Sequence, residues 1–268
     1  MSDAVGSLTR RTAFAVCLTL AVASRAAAQP PLAAPPSTPQ FMSRYDFHLS
    51  AAALSSSDPR FAWDTHFGGD MDVADYVRGR TTLLADYQAV LGSEFRAFDP
   101  NQGNYTLEAS SSVRFGGTEV VGIFHHVSRH SSDRPKRLAI AWNDVDVAVL
   151  RQFSVNETAI DVRVSAGKIV ARAYVDYAWI GNLDLAVRRR VSPHVGVYGR
   201  ATGEAVGIDA ERSTRRQQTG GRLEGGIRLI GQAGVIELFA GYERVIDADP
   251  FDQLPSSRVL GGFRLTNR

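Results

Sequence analysis

From Phe41 onward the chain alternates. Phe41, Ser43, Tyr45, Phe47, Leu49, Ala51 and Ala53 fall on one side of an extended strand, and Arg44, Asp46, His48 and Ser50 on the other. That is the period of two expected when successive side chains point to opposite faces. The same alternation returns over Thr81–Leu91, Tyr105–Phe115, Thr118–His130 and Leu138–Leu150, with Gly116-Gly117 marking a tight hairpin. Ile160–Ser165 and Ile169–Trp179 are predicted to flank a turn at Ala166-Gly167, and Leu183–Val191 runs to a turn at Ser192-Pro193. In the C-terminal third, strands are predicted over 195–204, 222–229, 235–246 and 259–265, with polar loops at Asp209–Thr219 and Asp247–Ser257. Phe61–Arg80 alternates imperfectly and reads as loop plus strand. The sum is about twelve strands of roughly ten residues, the length that crosses a bilayer at a tilt. No helical period competes over a long window.

The polar face carries both signs of charge, as in Asp161/Arg163, Arg172/Asp176, Arg200/Glu204 and Arg222/Glu224/Arg228. The other face is rich in Ala, Gly and Val. A water-soluble barrel or sandwich also alternates, but it buries large apolar side chains and leaves its charges in water. Here the mixed charges suit a salt-bridged lumen, and the small apolar residues suit lipid. The expected fold is all-β: a transmembrane antiparallel up-and-down β-barrel, closed because hydrocarbon offers no partner to an open strand edge. Short turns on one rim and longer loops on the other fit an outer membrane.

Composition changes the picture little. Mean hydropathy is -0.13, and after the leader no stretch approaches the ~20 apolar residues a spanning helix needs. The net charge of +2 argues against nucleic acid as a partner. The first residues read as a processing segment: Arg10-Arg11, the apolar run Thr12–Ala23, then the small residues Ala26-Ala27-Ala28. The expected organisation is a signal peptide over 1–28, a Pro-rich periplasmic lead-in over 29–40, and a barrel over 41–268, exported to the outer membrane. The single cysteine, Cys17, falls in the leader. Partners expected on this reading are outer-membrane lipid and the barrel assembly machinery. Many such barrels resemble one another in a last strand ending on an aromatic residue, and the nearest match here is Phe263. The sequence names no cofactor and no oligomeric state.

The candidate chemistry lies in Phe124–Asp133, which holds three of the six histidines, and in the following Trp142-Asn143-Asp144. On a strand, His126 and Ser128 share a face about 7 Å apart. A histidine base beside a serine hydroxyl suits nucleophilic catalysis once a third group orients the ring. Asn143 is the first candidate for that group and Asp144 the alternative. Arg129, His130 and Asp133 are candidate ligand-binding residues, with Arg134, Lys136 and Arg137 a further basic run for anionic head groups. His126, His130 and Asp133 stand at i, i+4 and i+7, which is helical spacing on a predicted strand, so no metal site is expected.

This stretch resembles outer-membrane phospholipase A, a twelve-stranded barrel family with its catalytic His-x-Ser on one strand and Trp-Asn on the next. The resemblance implies His126 as base, Ser128 as nucleophile and Asn143 as the residue that orients the base. It departs after the serine, where the family has Asn-Gly and this chain has Arg129-His130. A similar His-x-Ser, completed by a glutamate, marks the lipid A 3-O-deacylase barrels; only Asp144 and Asp146 stand near that position here. His126-x-Ser128-x-His130-x-x-Asp133 also resembles a run in an uncharacterised family of bacterial barrels, which implies a fold and no activity. Two functional readings follow: a lipid-acting hydrolase, or a non-enzymatic narrow channel or structural barrel with a charged, salt-bridged lumen. Strand parity leaves both open. Val120, Gly122 and Phe124 share the face of His126, while Val121, Ile123 and Val127 make the opposite face as apolar.

Overall fold

A computed structural model describes residues 36–131 and 138–267. Within them the chain forms twelve antiparallel strands closed into a barrel in which each strand pairs with its neighbours in sequence and β1 pairs with β12. The strands are β1 (Gln40–Leu54), β2 (Trp63–Asp75), β3 (Arg80–Gly92), β4 (Asp99–Phe115), β5 (Thr118–Ser131) and β6 (Ile140–Val155). They continue as β7 (Thr158–Ala173), β8 (Tyr177–Arg190), β9 (Val195–Ile208), β10 (Gln218–Ile230), β11 (Val235–Asp249) and β12 (Leu254–Thr266). The expected signal peptide and most of the lead-in lie outside the described residues.

The molecule is inside-out relative to a water-soluble protein. Leu83, Leu107, Val113, Phe124, Val145, Val147, Val149, Leu223, Leu238 and Val259 are exposed on the outer wall. Arg44, Asp72, Arg80, Glu108, Glu119, Glu224, Glu237 and Arg258 are buried within. In water so large an apolar surface would associate, whereas a bilayer accepts it. Inside, charge meets charge. Arg44 reaches Asp70 at 2.6 Å and Asp72 at 2.9 Å, and Arg80 Nε meets Glu119 at 3.0 Å. Arg264 bridges Glu224 at 2.8 Å and Glu237 at 2.7 Å. Exposed aromatic residues stand toward both rims, Phe41, Tyr45 and Phe115 at one and Phe98, Tyr174 and Trp179 at the other.

The two rims differ. Short turns join the strands at the rim where β1 begins and β12 ends, among them Gly116-Gly117 and Asn156-Glu157. Gly116 takes a left-handed φ of 57° and Asn156 one of 53°, a conformation glycine adopts freely and asparagine tolerates. Longer connections over 55–62 and 209–217 lie at the opposite rim. Just inside that rim the lumen is apolar: Val127, Ile140, Trp142, Ile169, Tyr177, Ile180, Val206 and Ile246 pack together. Arg215, from the β9–β10 loop, closes over them, with Nη2 2.5 Å from Asp247 and Nη1 3.1 Å from Asp176.

Phe61–Arg80, read as loop plus strand, holds β2 between short connections. Two sequence expectations need correction. Ala166-Gly167 is no turn, because β7 runs through it without a break. Gly167 faces inward, and the Asp146 carboxyl fills the space where a Cβ would stand. The glycine therefore serves a close approach between strands rather than a reversal. Asp247–Ser257 is mostly strand, with only residues 250–253 connecting β11 to β12.

The β1–β12 seam runs from His48 opposite Thr266 to Leu54 opposite Leu260. The earlier part of β1 extends past the end of β12 and pairs with β2 alone. There the Asn267 side chain imitates one more rung: its Oδ1 accepts from Phe47 N at 2.8 Å, and its Nδ2 donates to the Tyr45 carbonyl at 3.0 Å.

Candidate active site

β5 and β6 are adjacent and antiparallel, with His126 opposite Asn143, Ser128 opposite Ala141 and His125 opposite Asp144. The inward positions of β5 are Glu119, Val121, Ile123 and Val127, all buried, so His126, Ser128 and His130 stand on the outer wall. On β6 the buried residues are Ile140, Trp142, Asp144, Asp146, Ala148 and Leu150, which puts Asn143 outside as well. The four polar residues sit close to the long-loop rim, three of them within six residues of the end of β5. Toward mid-barrel they give way to exposed Leu107, Phe124, Val145 and Val147. A polar patch with an apolar wall beneath it suits a lipid whose head-group end lies level with the patch.

His126 Nδ1 lies 2.6 Å from Asn143 Oδ1. A carboxamide oxygen can only accept, so Nδ1 is the donor, and Nε2 is the nitrogen left to act on a substrate. A β-bulge adjoins this pair: Asn143 faces Ala171 while Asp144 faces Ile169, leaving Val170 as the extra residue. Bulges of this kind re-aim side chains beside functional sites.

Ser128 Oγ is turned to His130, with Nε2 at 2.8 Å. The His130 ring meets Tyr105 edge to face at a centroid separation of 5.6 Å, and Tyr105 in turn lies 4.9 Å from Tyr87. Gly103, opposite His130 on β4, makes room for this row, since a Cβ there would stand 2.8 Å from the Tyr87 hydroxyl. Tyr87 and Tyr105 were not among the residues singled out from sequence. Their alternation places them on the apolar face, but only the cross-strand register brings them to His130.

Two candidate roles need correction. Asp144, the alternative orienting residue, is fully buried on the opposite face, where its Oδ2 lies 3.3 Å from His125 Nδ1. One step along a strand reverses the side chain's direction, so Asp144 and His126 lie on opposite sides of the wall. Arg129 points inward for the same reason. Its guanidinium donates to the Asp247 carbonyl at 2.7 Å, to Gln102 Oε1 at 3.2 Å and to the Ala248 carbonyl at 3.3 Å. It braces β11 against β4 and β5. Asp133, Arg134, Lys136 and Arg137 lie outside the described residues. Among the described residues no three His, Asp or Glu side chains converge to hold a metal ion.

No protein-family model matches the chain, and no curated protein matches it. Solved structures do. Outer membrane phospholipase A from Escherichia coli is 9% identical with a TM-score of 0.52, over 85% of this chain and 98% of that one. The Salmonella typhi outer membrane phospholipase dimer with bound calcium is also 9% identical, with a TM-score of 0.51, over 87% of this chain and 93% of that one. At that identity the likeness extends to the fold, a closed barrel of the outer-membrane kind.

Proposed function

We propose that this chain is an outer-membrane hydrolase of lipid acyl esters, acting on phospholipid or lipid A. Ser128 is the nucleophile, and His126, held by Asn143, takes part in the acid–base chemistry beside it. The observation that carries this reading is the 2.6 Å bond from His126 to Asn143 on the outer wall, with Ser128 two residues along the same face. Serine attack on an ester carbonyl forms a tetrahedral intermediate whose collapse expels an alcohol and leaves an acyl-serine; water then releases the fatty acid. Each stage moves one proton off a nucleophile and one onto a leaving group, which is work for imidazole nitrogens held in place. A neighbour in the fold named as a phospholipase supports the substrate class by analogy only.

The runner-up is a structural barrel without enzymatic activity. Of the non-enzymatic readings it is favoured over a channel, because the apolar cluster around Trp142 and Tyr177 fills the lumen below the long-loop rim. The deciding assay is fatty acid release by purified, refolded protein from mixed micelles, with phospholipid and lipid A presented separately. Release from either substrate supports the hydrolase, and wild-type protein inert on both ends it.

Outer-membrane residence, export by residues 1–28 and handling by the barrel assembly machinery belong to the same reading. The protein should fractionate with the outer membrane, require detergent, and migrate faster on gels unheated than boiled. A soluble periplasmic protein with one mobility would contradict it. Phe263 stands exposed on the outer wall of β12, opposite Leu238 and Ala51. Phe263→Ala should lower the amount of folded barrel recovered from membranes, read by the same mobility shift; unchanged recovery would remove this residue from the assembly signal.

A further inference from the structure

We propose that the two histidines flanking Ser128 divide the proton transfers, with His130 receiving the serine proton and His126 serving the leaving group. This rests on the hydrolase reading above and goes beyond it by assigning His130 a catalytic role. The carrying geometry is that Ser128 Oγ lies 2.8 Å from His130 Nε2, while His126 has its Nδ1 committed to Asn143 at 2.6 Å. Successive side chains on one strand face are about 7 Å apart, so a serine between two histidines can be bonded to one while the other reaches past it. In the tetrahedral intermediate the leaving oxygen stands on the same carbon as Oγ, and His126 Nε2 is the imidazole nitrogen on the other side of Ser128 from His130. His130 is also braced against rotation, through its edge-to-face contact with Tyr105 and the Tyr105–Tyr87 pair behind it.

Turnover by this route starts from the form in which His130 Nε2 accepts and His126 carries a proton on each nitrogen, the one on Nδ1 donated to Asn143. As Ser128 Oγ bonds to the ester carbonyl carbon, its proton passes to His130 Nε2. The carbon–oxygen bond to the alcohol then breaks, and His126 Nε2 gives that oxygen its proton. The acyl-serine is left beside a neutral His126 and a protonated His130. His126 takes a proton from water as the water oxygen bonds to the acyl carbon. The ester bond to Ser128 breaks, and His130 returns the proton to Oγ. Fatty acid departs and both histidines are as they began. One base and one acid in the resting site give a bell-shaped dependence of turnover on pH.

The test compares His126→Ala and His130→Ala, each confirmed as a folded barrel by unheated gel mobility, on two reactions. The first is covalent labelling of Ser128 by an alkyl fluorophosphonate, located by peptide mass; fluoride leaves without needing a proton. The second is hydrolysis of a long-chain alkyl ester against its p-nitrophenyl counterpart, whose leaving group is stabilised without protonation. His130→Ala should lose at least a hundredfold in labelling and in both hydrolyses, in keeping with the usual 10²–10⁴-fold worth of a general base. His126→Ala should still label at Ser128 and release about one equivalent of p-nitrophenol in a burst, while steady hydrolysis of both esters falls about a hundredfold or more, because deacylation draws its base from His126. His126→Ala abolishing labelling, or His130→Ala labelling like wild type, would overturn the division and leave the hydrolase intact. Wild-type protein that neither labels at Ser128 nor turns over ester would overturn both together.

Discussion

Ser128→Ala should lower fatty acid release by several powers of ten and leave the barrel folded. The size follows from the role, because removing the nucleophile takes away the covalent route itself, leaving only what binding and local polarity contribute. The harmlessness to the fold follows from position. Ser128 stands on the outer wall, so truncating it opens no cavity in the packed lumen, and its backbone rungs to Tyr105 and Ala141 stay in place. Asn143→Ala is the informative companion. It frees His126 Nδ1 to turn or change tautomer, and turnover should fall substantially with no loss of the unheated gel shift. Measurement is by fatty acid release over time at saturating micellar lipid. A Ser128→Ala protein as active as wild type would return the whole outer-wall cluster to a structural role.

The largest stability effect should come from the lumen. Glu119 is wholly buried and takes a two-pronged contact from Arg80, Nε to Oε1 at 3.0 Å and Nη2 to Oε2 at 3.1 Å. Ser112 Oγ donates to the same carboxylate, and Arg80 also reaches Asp72 at 3.2 Å. Arg80→Met leaves Glu119 buried with the Ser112 hydroxyl as its remaining hydrogen-bond partner, and Asp72 with one cation fewer. Stranding a buried charge in this way costs about 3–5 kcal/mol. The double variant Arg80→Met/Glu119→Leu removes both charges and should regain much of the loss, because two apolar side chains carry no desolvation penalty. Urea unfolding in detergent or lipid, read by gel mobility, checks both. A single variant as stable as wild type would mean that water reaches Glu119.

Most of the barrel was legible because a lipid-facing wall and a charged lumen impose a period of two on every strand. β2 was blurred because Gly69 interrupts its outer face and Gly68 its inner one, although Asp64, His66, Asp70 and Asp72 keep the inner face polar. The direction of His126 and Ser128 was not legible, and β5 shows why. Val121 and Ile123 pack inside against Ala148 and Leu150, and Val127 joins the apolar cluster beneath the long loops. An apolar residue in this lumen is therefore no marker of lipid, and the sidedness of β5 was decided by its neighbours' charges. The same limit hid Tyr87 and Tyr105, whose meeting with His130 depends on register between strands. Asn143 and Asp144 fall on opposite faces by parity alone, but which of them could meet His126 depended on the sidedness of β5.

The Asn267 rung and the short β1–β12 pairing bear on the order in which the ring assembles. Every other joint links strands adjacent in sequence and closes as a local hairpin, whereas this seam joins His48 to Thr266. Bringing such distant partners together carries the greatest closure entropy in the molecule and is the slow step by contact order. Until β12 arrives, β1 and the growing end are both raw sheet edges, open to pairing with another chain. The amide of Asn267, spanning from Phe47 N to the Tyr45 carbonyl, acts as the clasp on the last joint to be fastened and the first to be undone.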